Sequence, residues 1–465
     1  MPNQGSRCRT QMSDVPVIPL VDEGLGNSTY LVDLGEGRAM VVDPSRDLRA
    51  VEAAAAARAL RVVYSAETHL HADFVSGSVQ LAANGAQVLT SAEGGRLFAH
   101  RGLADEDEVD LGGLTLKALT TPGHTAEHLS YLLLDGATSL GLFTGGSLLV
   151  GAAARTDLAG AGRTQELARA QYRSLQRLAR LPESTLVYPT HGAGSFCSAP
   201  PGAERTTSIG AEKATNPYLT APDEDAFVAK LLASLGSYPP YFDHLGEVNR
   251  RGPALLDADP TLTPRSPAAV ETLRQGGAEI IDVRGYEAYA DAHIPGSLSI
   301  PLRPVFATWL GWLVPSPATA LVIVRDPDQD PEEVLWQARK IGYERLAGEL
   351  ADGLTAWTAA GRPVASTRVS TPAAADPTTV VDVRQAAEFA PGHLPGAVNI
   401  ELGALSQSSA DLSGREVVVM CGHGERAASA ASVLERAGVT DVAILFGGPQ
   451  DWADAGAERT LQVDE

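Results

Sequence analysis

The sequence predicts an α/β protein of several domains, and three observations carry that expectation. Short apolar runs of strand length alternate with helical stretches along the chain. A segment holding Asp282-Val-Arg284 and His293-Ile-Pro-Gly296 recurs about a hundred residues later as Asp382-Val-Arg384 and His393-Leu-Pro-Gly396, a spacing that suits tandem domains. At 465 residues the chain also exceeds what one ordinary core supports, which suggests roughly three domains. The expected division is residues 1–245 for the first domain, 246–265 for a linker, and 266–366 and 367–465 for the two repeats.

In the first domain, Asn27–Asp33 alternates polar and apolar residues, Gly35-Glu-Gly37 turns the chain, and Ala39–Asp43 is a buried apolar run. Leu48–Leu60 is rich in alanine and predicts a helix, and Leu60–Tyr64 predicts the next strand. Gly77–Ala83 and Thr164–Leu181 read as helices. Gln87–Thr90, Leu114–Thr120, Leu129–Leu134, Ser139–Thr144 and Thr185–His191 read as strands. From His191 to about Leu255 the chain is rich in Gly, Pro, Ser and Thr, with one expected helix at Asp225–Leu235 and an apolar arm, Tyr238–Phe242, suited to packing across a domain surface.

Composition excludes several classes of function. A net charge of −21 repels a phosphate backbone and argues against nucleic acid. No apolar run reaches the ~18 residues of a membrane span, and Met1–Pro16 lacks an apolar leader core, so a cytoplasmic protein without a membrane partner is expected. The three cysteines, Cys8, Cys197 and Cys421, are far apart, which disfavours a disulfide framework and leaves each to act singly.

Chemistry concentrates first in Thr68-His69-Leu-His71-Ala-Asp73-Phe74, on the loop leaving a strand. Two histidines at i and i+2 with an aspartate two further on converge on one ion only from an extended or turning backbone. His124 and His191 each follow a later strand in the same way, so a shared site of His69, His71, His124 and His191 is expected. His128 reads as a surface or hydrogen-bonded histidine, and Cys197 as a structural thiol.

The ordered series His69-x-His71-x-Asp73, Thr121-Pro-Gly-His124-Thr, Phe143-Thr-Gly-Gly146-Ser and Tyr188-Pro-Thr-His191-Gly resembles the metallo-β-lactamase fold over about residues 15–240, in its glyoxalase II and persulfide dioxygenase branch. The resemblance implies an αββα sandwich with ligands on loops at one edge. It also implies either a two-metal hydrolase centre or a single iron. Phe74 stands where the hydrolases have a second-site histidine, and Gly146 where both branches have a metal-binding aspartate. A bridged metal pair needs that anion, whereas a single Fe(II) per chain would carry over His69 and His124, with His71, Asp73 and His191 as further donors and Asp157 as another acid nearby. One Fe(II), zinc, or a metal-free site stay open on these residues.

The repeats resemble rhodanese domains, small parallel-sheet units. The second has Val417–Met420 running into Cys421-Gly422-His423-Gly424-Glu425-Arg426-Ala427, where loop N–H groups and a helix start would stabilise a thiolate or persulfide and Arg426 would add positive charge. The first has Arg325-Asp-Pro-Asp-Gln-Asp330 there, without a cysteine, and reads as a spacer or docking module. Together the resemblances imply an enzyme of sulfane-sulfur metabolism. Cys421 would take sulfur from thiosulfate or a small thiol persulfide and pass it to an acceptor thiol, and the metal domain would bind or oxidise the persulfide. A sulfur carrier and a glyoxalase II-like thioester hydrolase are the alternatives, and the family's tendency to associate implies a homodimer.

Overall fold

The computed structural model describes residues 17–197, 204–256, 261–456 and 459–464, which leaves Cys8 outside the described residues. Two six-stranded sheets build the first part. One runs in chain order from Val17–Asp22 through Asn27–Gly35, Arg38–Val42, Arg61–Ala66 and Gln87–Ser91 to Arg101–Leu103. Its second hairpin turns through Gly35, Glu36 and Gly37, all at positive φ, which explains the two glycines. The other sheet sets Leu186–Pro189, edged by Thr207–Ser208, parallel to Thr138–Gly145, beside the antiparallel strands Leu129–Asp135, Thr115–Thr120 and Glu108–Asp110.

Alternate side chains of the two sheets meet in a shared core that includes Tyr30, Val32, Met40, Leu116, Tyr131 and Phe143. The opposite faces are covered by helices. Arg49–Ala56 and Ser78–Ala83 pack against Leu31 and Val41, and Thr164–Leu178 with Glu224–Ala233 packs against Leu132 and Leu142. This is the expected αββα sandwich. The alanine-rich helix ends at Ala56, short of the expected Leu60, because Ala59 enters the left-handed region and Leu60 N–H returns to the Ala55 carbonyl at 2.9 Å.

The Gly- and Pro-rich connection holds more structure than its composition suggests, with helices Ile209–Thr215 and Phe242–Arg251 besides Glu224–Ala233. The apolar arm does pack inward: Tyr241 and Phe242 are buried, and the Tyr241 ring lies where a side chain on Gly311 would stand. Asn249, on the helix that follows, reaches the histidine loop. Its amide donates 2.8 Å bonds to the carbonyls of His71 and Phe74, and its oxygen accepts from Ser76 N–H at 2.8 Å. Asn249→Ala leaves those buried groups unpaired and is expected to cost about 2–3 kcal/mol in denaturant unfolding.

Each repeat forms a five-stranded parallel sheet with the same strand order. The repeated motifs are ties within these units. Arg284 holds Asp282 at 2.7 Å and donates to the Ala292 carbonyl, and Arg384 holds Asp382 at 2.7 Å and donates to the Gly392 carbonyl. A strand end is thereby pinned to the loop carrying His293 or His393. One large apolar cluster joins both repeats to the first part, from Phe74 and Tyr241 through Phe306 and Ile323 to Val419 and Cys421. No helix among the described residues is long and apolar enough to cross a membrane.

Candidate functional site

The histidine cluster sits at one edge of the sandwich, on loops that leave strand ends. His69, His71, Asp73, His124 and His191 are all buried, with His128 and Cys197 among them. Asp43, at the end of Arg38–Val42, ties the loops together. Its carboxylate accepts from Thr68 N–H and Thr68 Oγ1 at 2.7 Å each and from the Thr190 hydroxyl, and stands 3.2 Å from His71 Nε2. Arg96 donates to the His69 carbonyl at 3.0 Å and pairs with buried Glu67 at 2.7 Å.

Second partners set the tautomers of three imidazoles. The Thr68 hydroxyl already donates to Asp43, so it accepts from His69 Nδ1 at 2.8 Å. His124 Nδ1 donates to the Arg155 carbonyl at 2.7 Å, and His191 Nδ1 to Asn27 Oδ1 at 2.9 Å. In all three Nε2 is left as the ligand atom. His69 Nε2 and His191 Nε2 lie 3.3 Å apart, two lone pairs that repel unless a proton or a cation lies between them. Two overlapping groups of donors have ligand atoms within 4.8 Å of one another: His69, His71 and His191, and His124, His191 and Cys197.

The electrostatics suit one cation. Burial and the neighbouring imidazoles hold His69 and His128 well below the usual histidine range, and burial with the adjacent His191 pushes His124 down to about 3. Burial also opposes charge on His191, but the Cys197 sulfur and the Asp73 carboxylate outweigh it and hold that imidazole above the usual histidine range. A cation between His69 Nε2 and His191 Nε2 would satisfy both lone pairs.

The same residues do not fit a bridged metal pair. A Cβ on Gly146 would stand 2.2 Å from His124 Cδ2, so the His124 ring fills the space an aspartate there would need. Phe74 is buried and stacks on His71 with ring centroids 4.2 Å apart. His71 Nε2 meets the Asp43 carboxylate, but His71 Nδ1 and Asp73 Oδ1 lack a partner, while Asp73 Oδ2 accepts from Asn27 at 2.8 Å. His128 is the hydrogen-bonded histidine expected, buried rather than at the surface. It stacks on His69 and accepts from Gly146 N–H at 3.0 Å, so its ring supports the site without facing it as a donor. Asp157 is taken up by Arg155 at 2.7 Å.

Sequence reasoning gave no role to Asn27, Asp43, Thr68 or Asn249, because ordinary strand, turn and helix residues carry no mark of a long-range hydrogen bond. Cys197 was named, but not as a neighbour of the histidines. The length of the loop after His191 does not disclose that the loop folds back.

In the second repeat, Cys421 follows the strand Val417–Met420 and precedes the helix Glu425–Arg436. Its Sγ accepts from Gly424 N–H at 3.1 Å, and Gly424 takes φ +123°, which turns that N–H toward the sulfur. Arg426 forms a two-point pair with Glu388 at 2.7 and 2.8 Å, so its charge is largely balanced there. Gly422, His423, Glu425 and Ala427 complete the loop and the first helical turn, and Glu425 reaches Arg303 at 3.4 Å.

The first repeat forms a wall of this site and is more than a spacer. A Cβ on Gly424 would meet the Tyr286 ring at 2.7 Å, and the Arg426 guanidinium lies over Trp309. Ser429, in the helix after Cys421, donates to the Ser299 carbonyl at 2.6 Å, and Arg436 pairs with Glu279 at 2.7 Å. In its own loop, Arg325 occupies the place after the strand and closes on Glu349 and the carbonyls of Asp326 and Gln329. Gly424→Ala collides with Tyr286 and strains φ. It is expected to cost about 1–3 kcal/mol, measurable by denaturant unfolding of the purified variant.

Sequence comparison assigns these two constructions to families. Residues 22–191 match the profile of the metallo-beta-lactamase superfamily, and residues 266–360 and 367–455 each match that of the rhodanese-like domain. The chain belongs to the metallo-β-lactamase superfamily and carries two rhodanese-like domains after that fold. Within the superfamily it is similar to the mitochondrial persulfide dioxygenase of Homo sapiens, 30% identical over 207 residues that cover 42% of this chain and 73% of the relative. It is also similar to a hydroxyacylglutathione hydrolase of Acidiphilium cryptum, 32% identical over 238 residues, 45% of this chain and 91% of the relative. Among solved structures, a metallo-beta-lactamase from Staphylococcus aureus superimposes with a TM-score of 0.64 at 29% identity, over 72% of this chain and 98% of that one.

Proposed function

We propose that the protein is a sulfurtransferase of sulfane-sulfur metabolism working through a persulfide on Cys421. The placement of Cys421 Sγ carries this reading, between a strand end and a helix start with the Gly424 N–H 3.1 Å away. The Cys421 thiolate attacks the outer sulfur of thiosulfate or a thiol persulfide. The S–S bond breaks, sulfite or the donor thiolate leaves with the electron pair, and Cys421–S–S⁻ remains. An acceptor thiolate or cyanide then attacks that terminal sulfur and returns the Cys421 thiolate. Charge stays on sulfur throughout, where the loop N–H groups and helix N-terminus stabilise it. The expected measurement is thiosulfate:cyanide transfer by the full-length chain, and its absence would overturn the reading.

In the same proposal, the metallo-β-lactamase domain handles a small thiol persulfide at a single-metal site held by His69, His124 and His191, with His71 and Asp73 beside them. The steric block at Gly146 favours one metal over a bridged pair, and the ring of Phe74, where the hydrolases have a second-site histidine, favours the persulfide dioxygenase relatives over them. Bound Fe(II) would supply O₂ activation. The protein's part is to fix the three Nε2 atoms and shut out water, since each of these side chains is buried. Oxygen uptake with glutathione persulfide after iron loading is the expected result, and thioester hydrolysis without such uptake would contradict it.

A further inference from the structure

We propose that Cys197 is a metal ligand, its thiolate joining His124 and His191 to supply the anionic donor that glycine at 146 withholds. The ligand atoms of these three residues all lie within 4.8 Å of one another, close enough to share one cation. Cys197 is fully buried, and its surroundings are not those of an inert core thiol, because two imidazoles face it.

The loop that carries it is built in place. Cys197 N–H donates to Ser195 Oγ at 3.1 Å, and the Cys197 carbonyl accepts from Arg155 N–H at 3.2 Å. The Arg155 carbonyl in turn orients His124, so a single residue fixes both the sulfur and one imidazole. At the base of the loop, His191 is held by Asn27, which also holds Asp73.

A second observation points to a cation independently of the cysteine. Asp73 Oδ1 is buried without a partner, and so is Nδ1 of His71, whose Nε2 meets the Asp43 carboxylate at 3.2 Å. Buried polar atoms are seldom left so, and here they surround facing Nε2 lone pairs.

The proposal rests on the single-metal reading of the first domain and changes its chemistry. A carboxylate would favour hard cations, whereas a thiolate with imidazoles favours zinc and other borderline-soft ions over magnesium or calcium. Two histidines and a cysteine also leave a position open on a four-coordinate ion, and His69 Nε2, 3.3 Å from His191 Nε2, is a further donor.

X-ray absorption on the full-length chain loaded with zinc alone tests this without reference to activity. The expected spectrum has one sulfur at about 2.3 Å per zinc beside nitrogen neighbours near 2.0–2.1 Å. The sulfur is lost in Cys197→Ser and kept in Cys8→Ser and Cys421→Ser. Cobalt(II) gives a parallel reading, a sulfur-to-metal charge-transfer band that follows the same pattern. Nitrogen and oxygen neighbours alone in the wild type, failure of the chain to take up zinc, or a sulfur that survives Cys197→Ser would each overturn the proposal. Should Cys197→Ser not fold, retention of one sulfur in a Cys8→Ser/Cys421→Ser double variant, which has no other cysteine, decides the matter. Sulfur transfer by Cys421 is scored in a separate assay, so either reading can fail while the other stands.

Discussion

Replacing Cys421 with serine is expected to lower thiosulfate:cyanide transfer by a factor on the order of 10³ or more. Serine keeps the size of the side chain and can still accept from Gly424 N–H, so the loop should hold its shape, with a stability change of about 1 kcal/mol or less. The loss is chemical, because a hydroxyl is a poor nucleophile toward sulfur and cannot carry the transferred atom. Turnover read alongside denaturant unfolding separates these effects. Low activity with unchanged stability is the expected pair, and a variant that still turns over would place the reaction elsewhere.

The second large effect is expected at Gly146. An aspartate there is what a two-metal hydrolase needs, but its first side-chain atom alone would lie 2.2 Å from the His124 ring, 2.9 Å from its Nε2. Gly146→Asp must push His124 off its bond to the Arg155 carbonyl and place a carboxylate in a buried site. A stability loss of about 1–3 kcal/mol or more is expected, with no gain of thioester hydrolysis. Gly146→Ala meets the same ring and should shift stability in the same direction. Guanidinium unfolding of both variants, with zinc content and thioester turnover measured beside it, checks this. Two bound zinc ions and hydrolysis in Gly146→Asp would show that His124 moves aside easily.

Much of this arrangement is legible in the sequence where local patterns govern structure. Alternation and apolar runs marked most strands of the sandwich, because side-chain periodicity is a property of each strand alone. The hundred-residue repeat gave two matching parallel sheets, with each Asp–Arg pair pinning the same loop. Strand ends likewise pointed to His69, His124 and His191, since loops at sheet edges are where such side chains can converge.

The rest depends on contacts between distant segments. Asn249 supports the histidine loop from a helix almost two hundred residues further on, and Tyr286 closes on Gly424 from the other repeat. The loss of an acid at Gly146 was plain in the sequence, but not that the His124 ring takes up its space. Arg426 reads as a fixed positive charge beside the thiol, and the sequence does not show that Glu388, in the short helix Ala386–Phe389, pairs with it.

Mass analysis of the intact chain after incubation with thiosulfate tests the central claim most directly. One added sulfur per chain is expected, located on the peptide containing Cys421, removed by cyanide and absent from Cys421→Ser. A chain that gains no sulfur, or gains it on Cys197 or Cys8 while Cys421 stays unmodified, would contradict sulfur transfer through the second repeat.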